Sequence, residues 1–208
     1  ESDLQGAAIQ LKNVLQQDAN DLAARILLGR VFLRNGEGNK AEHALQTAAD
    51  MGADEELVLV PLGYALLQQG KYSDVLTRLN PGDRSNTTES EILVIRGKAY
   101  LELNRLEQAE DAFSQAGKMT TTDSAPLLGL VAIHRRRGEQ ETASVLLDRA
   151  LERWPQSSSA WTAKGELLLS AQQQQAAYQA FDKAIEYNQD NIQARRFRAA
   201  MSIDQQQL

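Results

Sequence analysis

The sequence repeats itself every 34 residues, and this period constrains the fold more than any other feature. Four series of small or apolar positions keep the period along the chain, without an insertion or a deletion. Such a period indicates a stack of similar units, each of which buries its apolar face against its neighbours. The series are Gly29, Gly63, Gly97, Val131, Gly165 and Ala199; Ala7, Ala41, Val75, Ala109, Ala143 and Ala177; Leu11, Leu45, Leu79, Phe113, Leu147 and Phe181; and Val14, Ala48, Gly82, Ala116, Ala150 and Ala184.

Each unit contains two stretches in which apolar residues recur with helical spacing, as around Leu93 and again around Ala109. A residue suited to end a helix separates the two stretches, because glycine and asparagine accept the left-handed conformation of a helix C-terminus. In the last complete unit Gln172 takes this place, and we interpret it as a solvated turn. The pattern predicts helical hairpins, eleven or twelve helices in all, and no sheet. The other turn residues are Gly36, Gly70, Asn104 and Gly138.

This spacing resembles the tetratricopeptide repeat (TPR), which has a small residue in its first helix and an A-x3-F pattern in its second. The resemblance implies an all-α fold, an α-solenoid whose hairpins wind into a right-handed superhelix. It covers almost the whole chain, and the residues that match best are Leu93, Gly97, Tyr100, Ala109 and Phe113, then Trp161, Gly165, Ala177 and Phe181, with Pro155 in the terminal proline position.

With the small residue at position eight, residues 1–208 form a single array of repeats. We expect half repeats at both ends, each without the partner helix of its own hairpin. The full repeats are 22–55, 56–89, 90–123, 124–157 and 158–191, and the half repeats are 1–21 and 192–208.

Repeat 56–89 departs from the pattern at two places. Pro61 lies within its first helix, and we expect that helix to start late or to kink because the proline ring clashes with a preceding carbonyl. The stretch from Asn80 to Asn86 contains proline, glycine and small polar residues. This composition predicts a loop, so the second helix of this repeat should end early.

Composition and charge exclude several functions. The chain contains 22 Lys and Arg against 28 Asp and Glu, a net charge of −6, so we do not expect nucleic-acid binding. It has no cysteine, and His43 and His134 lie in different repeats, so we expect no metal site. No apolar run approaches the roughly 20 residues of a membrane span. Because no catalytic motif is present, we predict that the chain is not an enzyme and needs no cofactor.

The resemblance also implies a binding surface. In this family, positions two, five, nine, twelve and thirteen of the first helices line a concave groove. The lysines and asparagines with which some co-chaperones of the family grip a C-terminal carboxylate are missing here as a set. We therefore expect a protein or peptide partner, such as an acidic amphipathic segment, that matches a mixture of apolar residues and cations. The predicted groove residues are Arg30, Arg34, Tyr64, Leu67, Lys98, Leu101, Arg135 and Arg136.

A second interpretation applies to the run of arginines at 135–137. Gly138 follows it directly, and cations at a helix C-terminus interact favourably with the helix dipole. The run therefore suits a helix end as well as a contact with an anionic partner.

A narrower resemblance concerns the bacterial TPR lipoproteins that are encoded with exosortase/PEP-CTERM exopolysaccharide systems. The similar segments are 8–17, 24–29, 52–54 before the helix with Pro61, 70–76 and 125–130. The resemblance implies an envelope protein, periplasmic and lipid-anchored in its full length, that supports sorting or polysaccharide machinery; without it, the expected location is cytoplasmic. The alternative function is the repeat arm of a larger enzyme, such as a glycosyltransferase, with catalysis outside residues 1–208.

Overall fold

The computed structural model describes residues 2–119 and 123–206, and their side chains over 4–119 and 123–201. Within these ranges the chain forms twelve helices and no strand, which confirms the predicted all-α fold. Residues 1, 120–122 and 207–208, which belong to the predicted repeats 1–21, 90–123 and 192–208, lie outside the described residues. The helices are α1 (Ser2–Gln17), α2 (Leu22–Arg34), α3 (Gly38–Asp50), α4 (Glu55–Gln68), α5 (Tyr72–Arg78), α6 (Asn86–Glu102), α7 (Leu106–Met119), α8 (Ala125–Arg136), α9 (Gln140–Arg153), α10 (Ser158–Ser170), α11 (Gln174–Tyr187) and α12 (Ile192–Gln206).

The chain divides into two compact units, Glu1–Thr120 and Thr121–Leu208. The N-terminal unit contains α1 to α7 and the C-terminal unit α8 to α12. In both units, helices that follow one another in sequence pack as antiparallel hairpins, α2 with α3, α6 with α7, α8 with α9 and α10 with α11. The single array over 1–208, which spans both units, stays a prediction.

The small residue at position eight is required by the close approach of the two helices of a hairpin. A Cβ atom added to Gly97 would lie 2.7 Å from Cε1 of Phe113, and one added to Gly165 would lie 2.5 Å from Cε1 of Phe181. Both distances are shorter than side-chain atoms tolerate, so glycine is needed opposite phenylalanine. Val131 occupies the same position in its hairpin and packs in one cluster with Leu147.

The turns within the hairpins adopt the predicted left-handed conformation. Gly36, Gly70 and Gly138 have φ angles of 75°, 70° and 78°. Asn104 and Gln172 have φ angles of 57° and 60° at the same position of the period. Gln172 therefore adopts a conformation that costs an L-residue about 1–2 kcal/mol, because its Cβ approaches the following carbonyl.

Of the two alternatives expected for the helix with Pro61, the late start is wrong and the kink stays a prediction. Helix α4 begins at Glu55, six residues before the proline. The side chain of Asp54 accepts a hydrogen bond from the amide of Glu56 at 3.0 Å, which caps the helix. Pro61 has no N–H for the carbonyl of Leu57, and this carbonyl accepts a hydrogen bond from Nη2 of Arg30 at 3.4 Å instead.

The second helix of the same repeat ends early, as predicted. Helix α5 has seven residues, and the loop after it leads into the 17-residue helix α6. Glu56 accepts hydrogen bonds from the amide of Ser85 at 2.8 Å, from the Ser85 hydroxyl at 2.8 Å and from the Thr88 hydroxyl at 2.9 Å. These hydrogen bonds, the backbone one first, hold the pKa of the Glu56 carboxyl below its ordinary value. The Glu56 carboxylate thus holds the start of α6 in place after the short helix α5.

The core follows the four series of the period. In the complete hairpins the second-helix positions at Ala41, Ala109, Ala143 and Ala177 are fully buried, and the positions four residues later, from Leu45 to Phe181, are equally buried. Gly82 and Ala199 are exceptions, because Gly82 is exposed in the loop after α5 and Ala199 is exposed on α12. In α1, Leu11 is half-buried and Val14 is 39% exposed.

Candidate functional site

The candidate site is the inner face, by which we mean positions two, five, nine, twelve and thirteen of the first helices. In the N-terminal unit α2 contacts α4, and α4 contacts α6. Position nine of these helices is Arg30, Tyr64 and Lys98. Nζ of Lys98 lies 5.3 Å from the centre of the Tyr64 ring, a cation–π geometry, and Arg30 reaches α4 through the carbonyl of Leu57. The structure therefore joins three of the predicted residues through contacts between successive first helices.

The other predicted residues of this unit differ in exposure. Arg34 is exposed in the last turn of α2, and Leu67 is half-buried. Leu101 is only 8% exposed, so it packs within the unit and adds little to a binding surface.

In the C-terminal unit an ion pair crosses the inner face. Nη1 of Arg135 on α8 lies 2.7 Å from Oε2 of Glu166 on α10, and Gln193 at the start of α12 donates a hydrogen bond to Oε1 of the same glutamate. Glu166 thus balances the charge of Arg135, which the sequence predicted as a cation of the groove. Arg136 is exposed in the last turn of α8.

A groove of about 440 Å³ lies beside this ion pair. Its walls combine apolar and small residues of α8 and α10 with polar residues from the α10 and α12 side. This volume falls within the range of roughly 300–1,000 Å³ that is usual for ligand pockets. The lining residues are Leu128, Val131, Ala132, Arg135, Ser159, Thr162, Ala163, Glu166, Asn188, Asn191 and Gln193.

A hydrogen-bond network holds the polar wall of the groove in place. Nδ2 of Asn191 donates to the hydroxyls of Ser158 and Thr162, both at 2.8 Å. Oδ1 of Asn191 accepts a hydrogen bond from the amide of Ala194 at 2.9 Å and caps α12. The Ser158 hydroxyl donates to the carbonyl of Ala184 at 2.6 Å. These polar groups form hydrogen bonds with one another. The network therefore connects α10, α11 and α12, and its polar groups stabilise the fold rather than bind a ligand.

The structure thus groups the predicted residues by unit, with the Tyr64–Lys98 contact in one and the groove beside Arg135 in the other. The predicted surface that continues from Tyr64 and Lys98 to Arg135 crosses both units and stays a prediction. Sequence reasoning did not select Ala132, Glu166 or Gln193, although the period places Ala132 and Glu166 at position nine, next to the predicted Arg135 and Arg136.

Metal-ligand clusters and membrane-spanning helices are both absent from the described residues. Over 4–119 and 123–201, where side chains are described, no three side chains of His, Asp or Glu come together as metal ligands would. No helix in these ranges combines the length and the hydropathy that a membrane crossing requires.

Solved structures with a similar fold include TTC0263, a thermophilic TPR protein from Thermus thermophilus, with a TM-score of 0.69 and 19% identity over 88% of this chain and 99% of that chain. The Cut9–Hcn1 hetero-tetramer of the APC/C has a TM-score of 0.69 at 11% identity, and the match covers 97% of this chain and 40% of that one. YrrB, described as a TPR protein with an unusual peptide-binding site, has a TM-score of 0.51 at 14% identity over 91% of this chain and 97% of its own. Likenesses at such low identity show the fold alone.

Family models identify the repeat directly. No curated protein matches the chain. Three models, each described as a tetratricopeptide repeat, match residues 1–59, residues 124–167, and residues 90–119 together with 158–191. These matches cover most of the chain and leave out 120–123, 192–208 and the stretch 60–89, where α5 is short. The chain therefore belongs to the tetratricopeptide-repeat family, whose fold serves as a scaffold for protein–protein interaction.

Proposed function

We propose that the chain is a non-catalytic scaffold that binds a protein or peptide segment on its inner face. The observation that carries this proposal is the groove of about 440 Å³ between α8, α10 and the start of α12. It combines an apolar wall with the Arg135–Glu166 pair, and pockets that hold a ligand side chain have this composition of apolar walls and a few placed polar groups. The peptide-binding site described for YrrB, which has a similar fold, agrees with this kind of function.

The proposed partner segment is acidic and amphipathic. Arg30, Arg34 and Lys98 lie at exposed positions of the inner face in the N-terminal unit. This unit otherwise carries an excess of acid, with twelve Lys and Arg against eighteen Asp and Glu, whereas the C-terminal unit has ten of each. The cations would attract and orient an acidic segment, and the acidic surface around them would repel it elsewhere. Their main contribution is therefore to specificity and register.

The experiment is a selection of peptides against the purified chain from a phage-displayed library of random linear peptides. Peptides that bind are then tested against Lys98→Glu and Arg136→Glu by fluorescence anisotropy at two salt concentrations. We expect each charge reversal to weaken binding about tenfold, which corresponds to about 1.4 kcal/mol, and to reduce its salt dependence. The helical circular dichroism spectrum and the Tm should change little, because both side chains are exposed.

The matched controls reverse charges on the second helix α7, at Glu107, Glu110 and Asp111. These variants should bind the selected peptides as the wild type does. If they abolish binding while the inner-face variants bind normally, the partner surface lies on the second helices and the proposal is wrong.

The narrower sequence resemblance supplies a context for this proposal. We infer a bacterial envelope role, with the scaffold supporting sorting or exopolysaccharide machinery, from segments such as 52–54 and 70–76. The full open reading frame tests this inference: a lipid-bearing cysteine before residue 1 supports it. A glycosyltransferase domain in the same frame would instead make the chain the repeat arm of an enzyme.

A further inference from the structure

The groove of the C-terminal unit lies at repeat positions where the N-terminal unit carries an aromatic ring. Residues 68 apart occupy equal positions of the period, so Ala132 corresponds to Tyr64 and Glu166 to Lys98. In the N-terminal unit the Tyr64 ring packs beside Lys98 of the next first helix. In the C-terminal unit the methyl group of Ala132 lines the groove.

The two units also differ at a neighbouring pair of positions, where a larger residue at one position is balanced by a smaller residue at the other. Next to Tyr64, a Cβ on Gly63 would clash with Cδ2 of Leu79 and would lie 2.9 Å from Cγ2 of Ile95, so the leucine and the isoleucine together fill the space over the glycine. At the equal positions the larger residue is Val131 and the smaller one is Ala163. The exchange of bulk across this pair conserves volume, which packed cores tolerate best.

The difference in side-chain volume between Tyr64 and Ala132 is not balanced by a larger neighbour in the same way. Position twelve is Leu67 in one unit and Arg135 in the other, and the guanidinium of Arg135 is directed to Glu166. Val131 is 1% exposed and borders the groove without filling it. Ala132 therefore presents only a methyl group to the groove at the repeat position where the N-terminal unit carries the Tyr64 ring.

The charge distribution of the groove complements an aromatic ring. Arg135 is half-buried at its edge and uses one of its five N–H groups for Glu166 in the described hydrogen bonds. A guanidinium is attracted to the negative face of an aromatic ring, as the ammonium group of Lys98 is to the ring of Tyr64. The small and apolar side chains of Leu128, Ala132 and Ala163 would contact the rest of the ring.

We propose that this groove binds an aromatic side chain of the partner segment, at the repeat position where the N-terminal unit carries its own Tyr64 ring. Ala132 determines the size of the side chain that the groove accepts. The inference rests on the proposed function, since it names the side chain that the inner face recognises. The rest of the 440 Å³ groove takes the neighbouring residues of the same segment.

The test uses the peptides selected from the random library. Each peptide is measured unmodified and in a series in which one aromatic residue at a time is changed to alanine. We expect one aromatic residue in each groove-binding peptide whose removal weakens binding to the wild-type chain by about tenfold or more. Ala132→Tyr should plug the groove and weaken the unmodified peptide to a similar extent. In Ala132→Tyr the removal of that aromatic residue should then have little further effect, because both changes act on one contact.

Ala171→Tyr is the matched control, since it adds the same side chain at an exposed alanine that does not line the groove. It should bind all peptides as the wild type does. Circular dichroism and Tm show whether Ala132→Tyr is folded, and the peptide substitutions on the wild-type chain give an independent answer if it is not.

Two outcomes overturn the inference, and they are distinguishable from failure of the proposed function. If peptides bind through Lys98 and Arg136 but tolerate loss of every aromatic residue, the aromatic subsite is wrong and the inner-face scaffold stands. The same holds if folded Ala132→Tyr binds as tightly as the wild type. If no selected peptide responds to any inner-face substitution, the proposed function itself is wrong.

Discussion

Residues 56–102 and 124–170 occupy equal positions of the 34-residue period, yet their inner faces differ. In the first stretch the side chain of Lys98 lies over the Tyr64 ring. The second leaves a groove beside the Arg135–Glu166 pair. Buried positions of the period are constrained by helix packing in both stretches, whereas position nine is exposed enough to vary. The comparison indicates that repeats of one fold acquire different binding properties through a few first-helix positions.

The second helices of the two stretches differ as well. Helix α5 has seven residues and α9 has fourteen. In the shorter case Arg84 bridges Glu55 and the buried Glu89, and Glu89 also accepts a hydrogen bond from the amide of Gly82 at 3.1 Å. Burial acts to lower the pKa of Arg84. The hydrogen bonds that Arg84 donates to Glu89 and Glu55 outweigh this effect, so its pKa is raised. Charged groups thus replace the packing that a full helix provides.

The largest expected effect concerns the position-eight contact. Gly97→Leu should destabilise the chain by about 1–3 kcal/mol or more, because its Cβ alone would lie 2.7 Å from Phe113. Denaturant unfolding followed by circular dichroism measures the loss. Gln115→Leu, on an exposed position of α7, is the control and should change the unfolding free energy little. Equal losses for the two variants would show that the register is wrong.

A double substitution sharpens the same prediction. Gly97→Val should be destabilising alone, and Phe113→Leu should restore much of the loss, since Val131 and Leu147 form this combination in α8 and α9. The coupling between the two changes is the quantity to measure. Additive effects would mean that the two hairpins pack by different rules.

A smaller effect is expected at the turns within the hairpins. Gln172→Gly should stabilise the chain by about 0.5–1 kcal/mol, because glycine takes the left-handed conformation without the steric cost that glutamine bears. Gly138→Ala makes the reverse change at the same position of the preceding repeat and should destabilise it by about 1 kcal/mol. Thermal unfolding of both variants tests this, and a shift of the same sign in both would contradict it.

The smallest effect concerns the acid stability of the irregular repeat. Because the pKa of Glu56 is lowered in the folded chain, its contribution to stability is present above the ordinary carboxyl pKa and is lost as the pH falls through the folded value. Glu56→Gln should therefore reduce stability slightly at neutral pH and make it fall less on acidification. Urea unfolding across this pH range measures the slope. Glu107→Gln is the control, and an equal flattening in both variants would contradict the role given to Glu56.

The period was sufficient to predict the fold, because close helix packing leaves a separate signal in every repeat. Gly97 and Gly165 are glycines for the same steric reason, and Asn104 and Gln172 lie at turns that Gly36 and Gly138 mark in other repeats. The start of α4 could not be predicted from Pro61 alone. The side chain of Asp54 caps the helix there, and Arg30 of the preceding repeat donates to the carbonyl that Pro61 leaves without an N–H, a donor from another hairpin that local sequence rules do not include.

The candidate site was predicted in part. The sequence by itself determined which first-helix positions share a face, since helical spacing follows from backbone geometry. Only the tertiary structure decided that Leu101 is buried, that Glu166 neutralises Arg135, and that Ala132 borders an open groove while Tyr64 contacts Lys98. Burial, pairing and open volume depend on distances between side chains of different helices, and a sequence period orders those side chains without setting the distances.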